Sequence, residues 1–324
     1  MRTLAIVAAA ALLCVGALGH AQPTWQPQRQ VEIVVGSGPG GGNDRNARAL
    51  QKILAENKWL QNASVLNKVG GGGSIAYTYV HGHANDAHYL VFVRQGFLSN
   101  HILGRSTIGM NDMTPIAMLG TEASSIAVRA GNPTLKTLAD ALDRLKQDPQ
   151  SLTTSLGSTR NGSPHMVLAM LARASGIDPR RMKLVTFAGG AESVTQLLGG
   201  HIDMAAVSVD NTAPHHKSGA MRILGVSSAQ RLAALPDVPT LKEQGHDVVV
   251  GGFTIVLAPR GITPAQIQYW ENLLERVSNT AEWKRMMAAD LQDIDFRKSA
   301  ATREYLKQQY EMSRTVLGEI GAMK

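Results

Sequence analysis

Cysteine is nearly absent from this chain of 324 residues: there is one, Cys14, and it lies in the apolar N-terminal run Leu4 to Ala17. The remainder therefore has no disulfide, no thiol nucleophile and no cysteine-ligated metal site. Aromatic residues make up only 5% of the chain, and no block of Lys and Arg accompanies the net charge of +7. Without stacking platforms or a basic arm, no nucleic-acid partner is expected. A mild positive balance spread along the chain instead suits small anionic solutes. Long hydrophobic runs are also missing, since Leu4 to Ala17 falls short of the roughly 20 residues a membrane-spanning helix needs. With Arg2 before it and Gly19-His20-Ala21 after it, this run reads as an export signal over residues 1–21, cleaved after Ala21. A lipoprotein signal would want a small residue before Cys14, and Leu13 stands there.

Glycine, by contrast, is plentiful and clustered. Val31-Glu32-Ile33-Val34-Val35 runs into Gly36-Ser37-Gly38-Pro39-Gly40-Gly41-Gly42, and Val65-Leu66-Asn67-Lys68-Val69 runs into Gly70-Gly71-Gly72-Gly73. Glycine allows positive φ and close approach of another molecule, and the first cluster opens a helix whose free N–H groups form an anion cradle. A third loop, Ser155-Leu156-Gly157-Ser158-Thr159-Arg160-Asn161-Gly162-Ser163-Pro164-His165, is rich in hydroxyls and also ends at a helix start. Such a loop can direct several N–H and O–H donors at an anion.

Between these loops the pattern alternates. Helical spacing of Ala47, Leu50, Ile53 and Leu54 predicts a helix over about 44–57. Strands are expected at 63–68, 89–93, 183–187, 202–207, 222–227 and 248–257, and helices over 75–80, from Leu135, from Ser163-Pro164 and from Thr263-Pro264. The methionines at 166, 170, 204, 286 and 287 read as core filler. Strands alternating with helices indicate α/β sheets with ligand loops at the strand C-termini, and a chain this long divides into two units.

Several constellations compete for a chemical meaning. Gly36-x-Gly38-x-x-Gly41 is the literal dinucleotide fingerprint, so a dinucleotide-dependent oxidoreductase is one reading. The fingerprint wants an acid at the end of the second strand, where Asn67-Lys68 stands. A purely structural use of the glycines in tight turns is another reading. Ser163 and His165 lie two residues apart with no Gly-x-Ser-x-Gly elbow, which favours a serine N-cap over a nucleophile. His215-His216 lacks further ligands at metal spacing and reads as a surface turn. Asp44 either caps the first helix or touches the ligand, and its negative charge favours capping.

Taken in order, these segments resemble the substrate-binding proteins of tripartite tricarboxylate transporters, the TctC or Bug family, from about Val31 onward. The resemblance rests on Pro39-Gly40-Gly41-Gly42-Asn43-Asp44 with Ala47-Arg48, on Asn67 to Gly73, and on Asn161-Gly162-Ser163-Pro164-His165. Phe187-Ala188-Gly189-Gly190, Leu197 to Asp203, Pro236-Asp237-Val238-Pro239-Thr240 and Ala258-Pro259 complete a collinear series.

The resemblance implies a two-lobed α/β periplasmic-binding-protein fold of type II-like form, each lobe a mainly parallel sheet flanked by helices, with the ligand in the interlobe cleft. It implies lobe 1 over 22–125 plus about 248–324, and lobe 2 over 126–247. It implies a periplasmic monomer that performs no bond chemistry, needs no cofactor or metal, captures a small carboxylate and delivers it to membrane permease subunits. An exported sensor of the same fold is the alternative. The implied ligand set is Gly38, Pro39, Gly40, Gly41 and Asn43 of the first loop, Gly71 and Gly72 of the second, and Gln95 after the third strand. From the other lobe come Ser158, Thr159, Arg160, Asn161, Ser163, Ala188, Gly189 and Ser208. Departures from the family pattern are Gly36-Ser37, Arg94, Arg160 and Phe253. Arg160 is expected to clamp a second carboxylate.

Overall fold

The computed structural model describes residues 25–157, 160–187 and 189–323; the expected export signal lies outside them. In chain order the elements are β1 (Val31–Val35), α1 (Gly42–Glu56), β2 (Ala63–Asn67), α2 (Ser74–His81), β3 (Tyr89–Val93), α3 (Gly96–Ile102) and β4 (Met113–Arg129). There follow α4 (Leu138–Gln147), β5 (Thr154–Ser155), α5 (Ser163–Ala174), β6 (Leu184–Val185), α6 (Gly190–Leu198), β7 (Met204–Ser208), α7 (Val209–Lys217) and β8 (Met221–Val226). The chain closes with β9 (Gly251–Pro259), α8 (Pro264–Ser278), α9 (Ala281–Ala289), β10 (Gln292–Asp293), β11 (Arg297–Lys298) and α10 (Ser299–Glu319).

The strands form one mixed sheet in the order β2-β1-β3-β9-β4-β7-β5-β6. Its two wings are parallel as the alternating pattern implies: β1 pairs with β2 and β3, and β5 pairs with β6 and β7. Between the wings run two antiparallel strands, β9 and β4. β4 is 17 residues long; it pairs with β9 as far as Ala123 and with β7 and β8 from Ser124 on. One strand thus belongs to both halves of the sheet.

Period-two burial explains the layering of the first half. Val31, Ile33 and Val35 point into a core built with α1, α8 and α9 around Trp270 and Trp283. Val34 faces the other side together with Tyr89, Val91 and Val93 of the fully buried β3, where Phe97, Phe253 and Leu306 pack, while Leu90 and Phe92 of β3 point into the first core. The second half has its own two layers, one around Leu168, Leu171 and Leu142 and one around Val207, Val194 and Ile223. All five methionines read as core filler are buried or packed against these clusters. α10 crosses between the halves: Leu306 packs in the first, while Met312 and Val316 pack against the second.

Local chemistry sets several boundaries. Thr263 caps α8 ahead of Pro264, as the sequence predicts, and the structure adds a reciprocal box with Gln266. α4 starts three residues after Leu135 because Thr137 and Asp140 form a similar box. For α5 the expectation of a Ser163 cap is corrected: Gly162 is the N-cap and Ser163 is the first helical residue. His215 and His216 lie in the last turn of α7 and not in a turn, with His216 Nε2 2.9 Å from Asp237 Oδ2.

Candidate functional site

A cleft of about 210 Å³ opens between the two halves. Its first wall is Arg94, Gln95 and Gly96, where β3 gives way to α3, with Glu122 of β4. Its second wall is Leu156 and Gly157, the start of α5 at Gly162 to Pro164, Gly190 at the start of α6, and Val207, Ser208 and Asn211 at the β7–α7 junction. Three helix N-termini of the second half, those of α5, α6 and α7, therefore meet one cavity. Each brings unpaired N–H groups and a partial positive charge.

The two glycine loops sit beside this cleft and touch one another. A Cβ on Gly36 would lie 2.6 Å from the Gly73 Cα, so the backbones meet at a distance only glycine permits. The first loop is wound on itself: Gly41 N–H donates to the Gly38 carbonyl at 3.1 Å and Gly40 N–H to Asp44 Oδ2 at 2.8 Å. Asp44 also accepts from Asn67 Nδ2 at 2.8 Å and pairs with Arg48. Burial pushes the Asp44 carboxyl up, but the bonds from Arg48, Asn67 and Gly40 outweigh it and hold the group below its ordinary value. Asp44 is thus the brace of the loop, while the N-cap of α1 is Gly41. In the second loop, Asn100 Nδ2 donates to the Gly71 and Gly72 carbonyls at 3.0 and 3.1 Å. That leaves their N–H groups as the donors the loop offers.

The candidate residues divide accordingly. Gln95, Ser163 and Ser208 line the cleft. Asn43 acts at one remove: its Oδ1 accepts from Arg94 Nε at 2.8 Å and its Nδ2 donates to the Phe92 carbonyl. The N–H groups of Gly40 and Gly41, assigned to the ligand by the resemblance, are bonded within the loop, and Gly38 and Pro39 sit on that same turn beside the cavity. Asn161 has φ +72° and is held by both backbone groups, its N–H donating to His165 Nδ1 and its carbonyl accepting from Ser99 across the cleft. Gly189 caps α6 and its carbonyl accepts from Ser193. Arg160 is exposed and gives Nη2 to the Leu184 carbonyl at 2.8 Å, so the structure does not bring it to the cleft. Ser158, Thr159 and Ala188 lie outside the described residues.

His165 lies buried under this loop, and burial, with the nearby Arg160 charge, lowers its pKa to about 4. The ring is a neutral acceptor at Nδ1 and not a catalytic base. Phe253 belongs to the core against Tyr305 and does not line the cleft. Among the described residues no group of three or more His, Cys, Asp and Glu side chains could hold a metal ion.

Two contributors escaped the sequence reading of the site. Glu122 sits in the Gly120-Thr121-Glu122-Ala123-Ser124-Ser125 stretch of β4, which has no apolar periodicity to mark it as strand. Asn211 lies over Gly190, 2.6 Å from the position of a Cβ there. Arg94 was visible only as a departure from the family pattern. Its Nη1 pairs with Glu122 Oε2 at 2.5 Å, and its buried Nη2 has no protein partner.

A mixed sheet with a polar cleft between its halves, ringed by helix N-termini, Arg94 and Glu122, is the architecture of a binding scaffold. The family model of the tripartite tricarboxylate transporter family receptor matches residues 46–322, and the chain belongs to that family, which comprises binding receptors and not enzymes. A protein encoded in the gbd 5′ region of Cupriavidus necator is 26% identical over 331 residues, covering 98% of this chain and 96% of that protein. In structure the chain is similar to MatC of Rhodopseudomonas palustris with bound malate, at 21% identity and TM-score 0.77, covering 90% of this chain and all of that one. It is similar also to a second R. palustris protein with adipate, at 20% identity and TM-score 0.78, covering 92% and 99%. At these identities the likeness to solved structures establishes the fold.

Proposed function

We propose that this chain captures a small carboxylate in the periplasm and delivers it to the permease of a tripartite tricarboxylate transporter. Residues 22–125 with about 248–324 act as one lobe and 126–247 as the other, closing on the solute as a monomer. The observation that carries the reading is the convergence of three helix N-termini and Arg94 on one cavity. Ordered donors of this kind favour a carboxylate over water.

Size and charge argue against a dinucleotide. The cavity of about 210 Å³ holds about seven waters at roughly 30 Å³ each, the room for a solute of on the order of ten heavy atoms. In the fingerprint loop, Asp44 already occupies the Gly40 N–H, and its charge opposes a pyrophosphate. Family membership and the malate and adipate found in two proteins of this fold support a small organic acid.

A thermal-shift panel of C3 to C6 mono- and dicarboxylates against NAD and NADP tests the proposal. A carboxylate at about 100 times its Kd adds about 2.7 kcal/mol, a rise in Tm of about 5 °C or more. Stabilisation by the dinucleotides alone would overturn it.

A further inference from the structure

Polar contacts cross between the two halves at separate pairs of helices. One joins α3 to the start of α5, where Ser99 Oγ donates to the Asn161 carbonyl at 2.8 Å. Another joins α1 to α7 and runs through Arg45. Its Nε donates to Asp290 Oδ2 and its Nη1 to the Gly40 carbonyl, each at 3.0 Å and both within the first half. Its Nη2 reaches into the second half, 3.6 Å from Asp210 Oδ2 in the first turn of α7.

The three limbs of this guanidinium have unequal consequences. Two are bonded within the first half and fix the plane of the group, so the third is aimed at Asp210 with much of its side-chain freedom already lost. A cross-half pair formed this way escapes part of the entropic cost that makes lone surface pairs weak. Asp210 is oriented as well, since its Oδ1 accepts from Asn211 Nδ2 at 2.8 Å. Burial, then the charge of Glu122, pushes the half-buried Asp210 carboxyl up; Arg45 and Arg94 act against this, and Asp290 adds to it. Of the two cations, Arg45 is the one paired with Asp210. The limb on Gly40 ties the pair to the first glycine loop, so a shift of that loop carries the guanidinium with it.

We propose that Arg45 is a positioning residue for solute capture: anchored on Gly40 and Asp290, it latches α1 to Asp210 of α7 and raises the population of the arrangement in which the halves meet over the cleft. The inference rests on the reading above that the halves close on a solute, and it names a pair that sets the balance between open and closed. It requires no contact between Arg45 and the solute.

The test is a distance measurement between the halves by pulsed electron paramagnetic resonance. Spin labels are placed on Lys52→Cys of α1 and Asp143→Cys of α4, two exposed positions outside the cleft. These are unique attachment sites, because Cys14 falls in the expected export signal. In the solute-free protein, Arg45→Met and Asp210→Asn are each expected to lower the ratio of short to long distances about two- to five-fold, the size of a partly exposed ion pair. The double variant is expected to go no further than the larger single effect, since both substitutions remove one interaction. Full additivity of the two would overturn the pairing. If neither substitution moves the distances while the C3 to C6 carboxylates still shorten them in the wild type, the latch fails and the closing reading stands. If neither the substitutions nor the carboxylates move them, both fall. Should one variant not fold, the other decides on its own, because each breaks the same pair from a different half.

Discussion

His165 couples the shape of the cleft to pH. Its Nδ1 accepts from Asn161 N–H and holds that residue at positive φ, so protonation of the ring removes the brace. Folded His165 titrates near 4, against 6.5 in the absence of the fold. Its contribution to stability is complete above about pH 6.5 and is lost as pH falls towards 4, the unfolded chain taking up the proton first. The shift corresponds to about 3 kcal/mol over that window. Urea midpoints of the wild type are expected to fall between pH 7 and pH 4.5, and His165→Gln to flatten this slope. An unchanged slope in the variant would remove His165 from the account. Asp44 has its carboxyl lowered, so its contribution is lost only in more acid solution, below the ordinary value of 3.8. Both residues were legible in the sequence as local partners of a helix start, and the structure adds which backbone group each one holds: the Gly40 N–H for Asp44 and the Asn161 N–H for His165.

Among the elements, the paired glycine loops make the sharpest prediction. Gly36→Ala puts a methyl 2.6 Å from the Gly73 Cα, while nothing lies within 4 Å of a Cβ on Gly38. The first substitution is expected to cost about 1–3 kcal/mol by overpacking and to weaken solute binding at least ten-fold. Gly38→Ala should leave the melting temperature within about 1 °C, because an open surface position costs within ±0.5 kcal/mol. Equal effects of the two would show that the loops do not depend on contact. The loops, β1, β3 and α8 could be read from runs and caps because the causes are local. β4 could not: Gly120 to Ser125 interrupt its apolar run. Gly120 is needed there because β10 and Met287 press against it, where a Cβ would collide with Met287 and the Asp293 carbonyl.

At the scale of the whole molecule, β4 and α10 join the halves into one cooperative unit. β4 pairs with strands of both, α10 packs on both, and Arg173 of α5 pairs with Glu319 at the end of α10. All four tryptophans, Trp25, Trp59, Trp270 and Trp283, belong to the core of the first half. Tryptophan fluorescence therefore reports that half alone, whereas far-UV circular dichroism reports both. The two urea transitions are expected to coincide, as for a two-state unit. A separation of the midpoints would show that the halves unfold independently. Among the described residues no helix is long and apolar enough to cross a membrane.

The amino-acid sequence by itself determined the α/β alternation, the glycine loops, the capped helix starts and the family, because each is written in runs of neighbouring residues. Only the tertiary structure decided which polar groups remain free. It bonded Gly40 and Gly41 within their own turn, turned Arg160 to the Leu184 carbonyl, and brought Arg94, Gln95 and Glu122 to one cavity. A hydrogen bond is consumed or spared by partners distant in the chain, and Gln95 with Ser313 is separated by 218 residues. No local pattern records such a pairing.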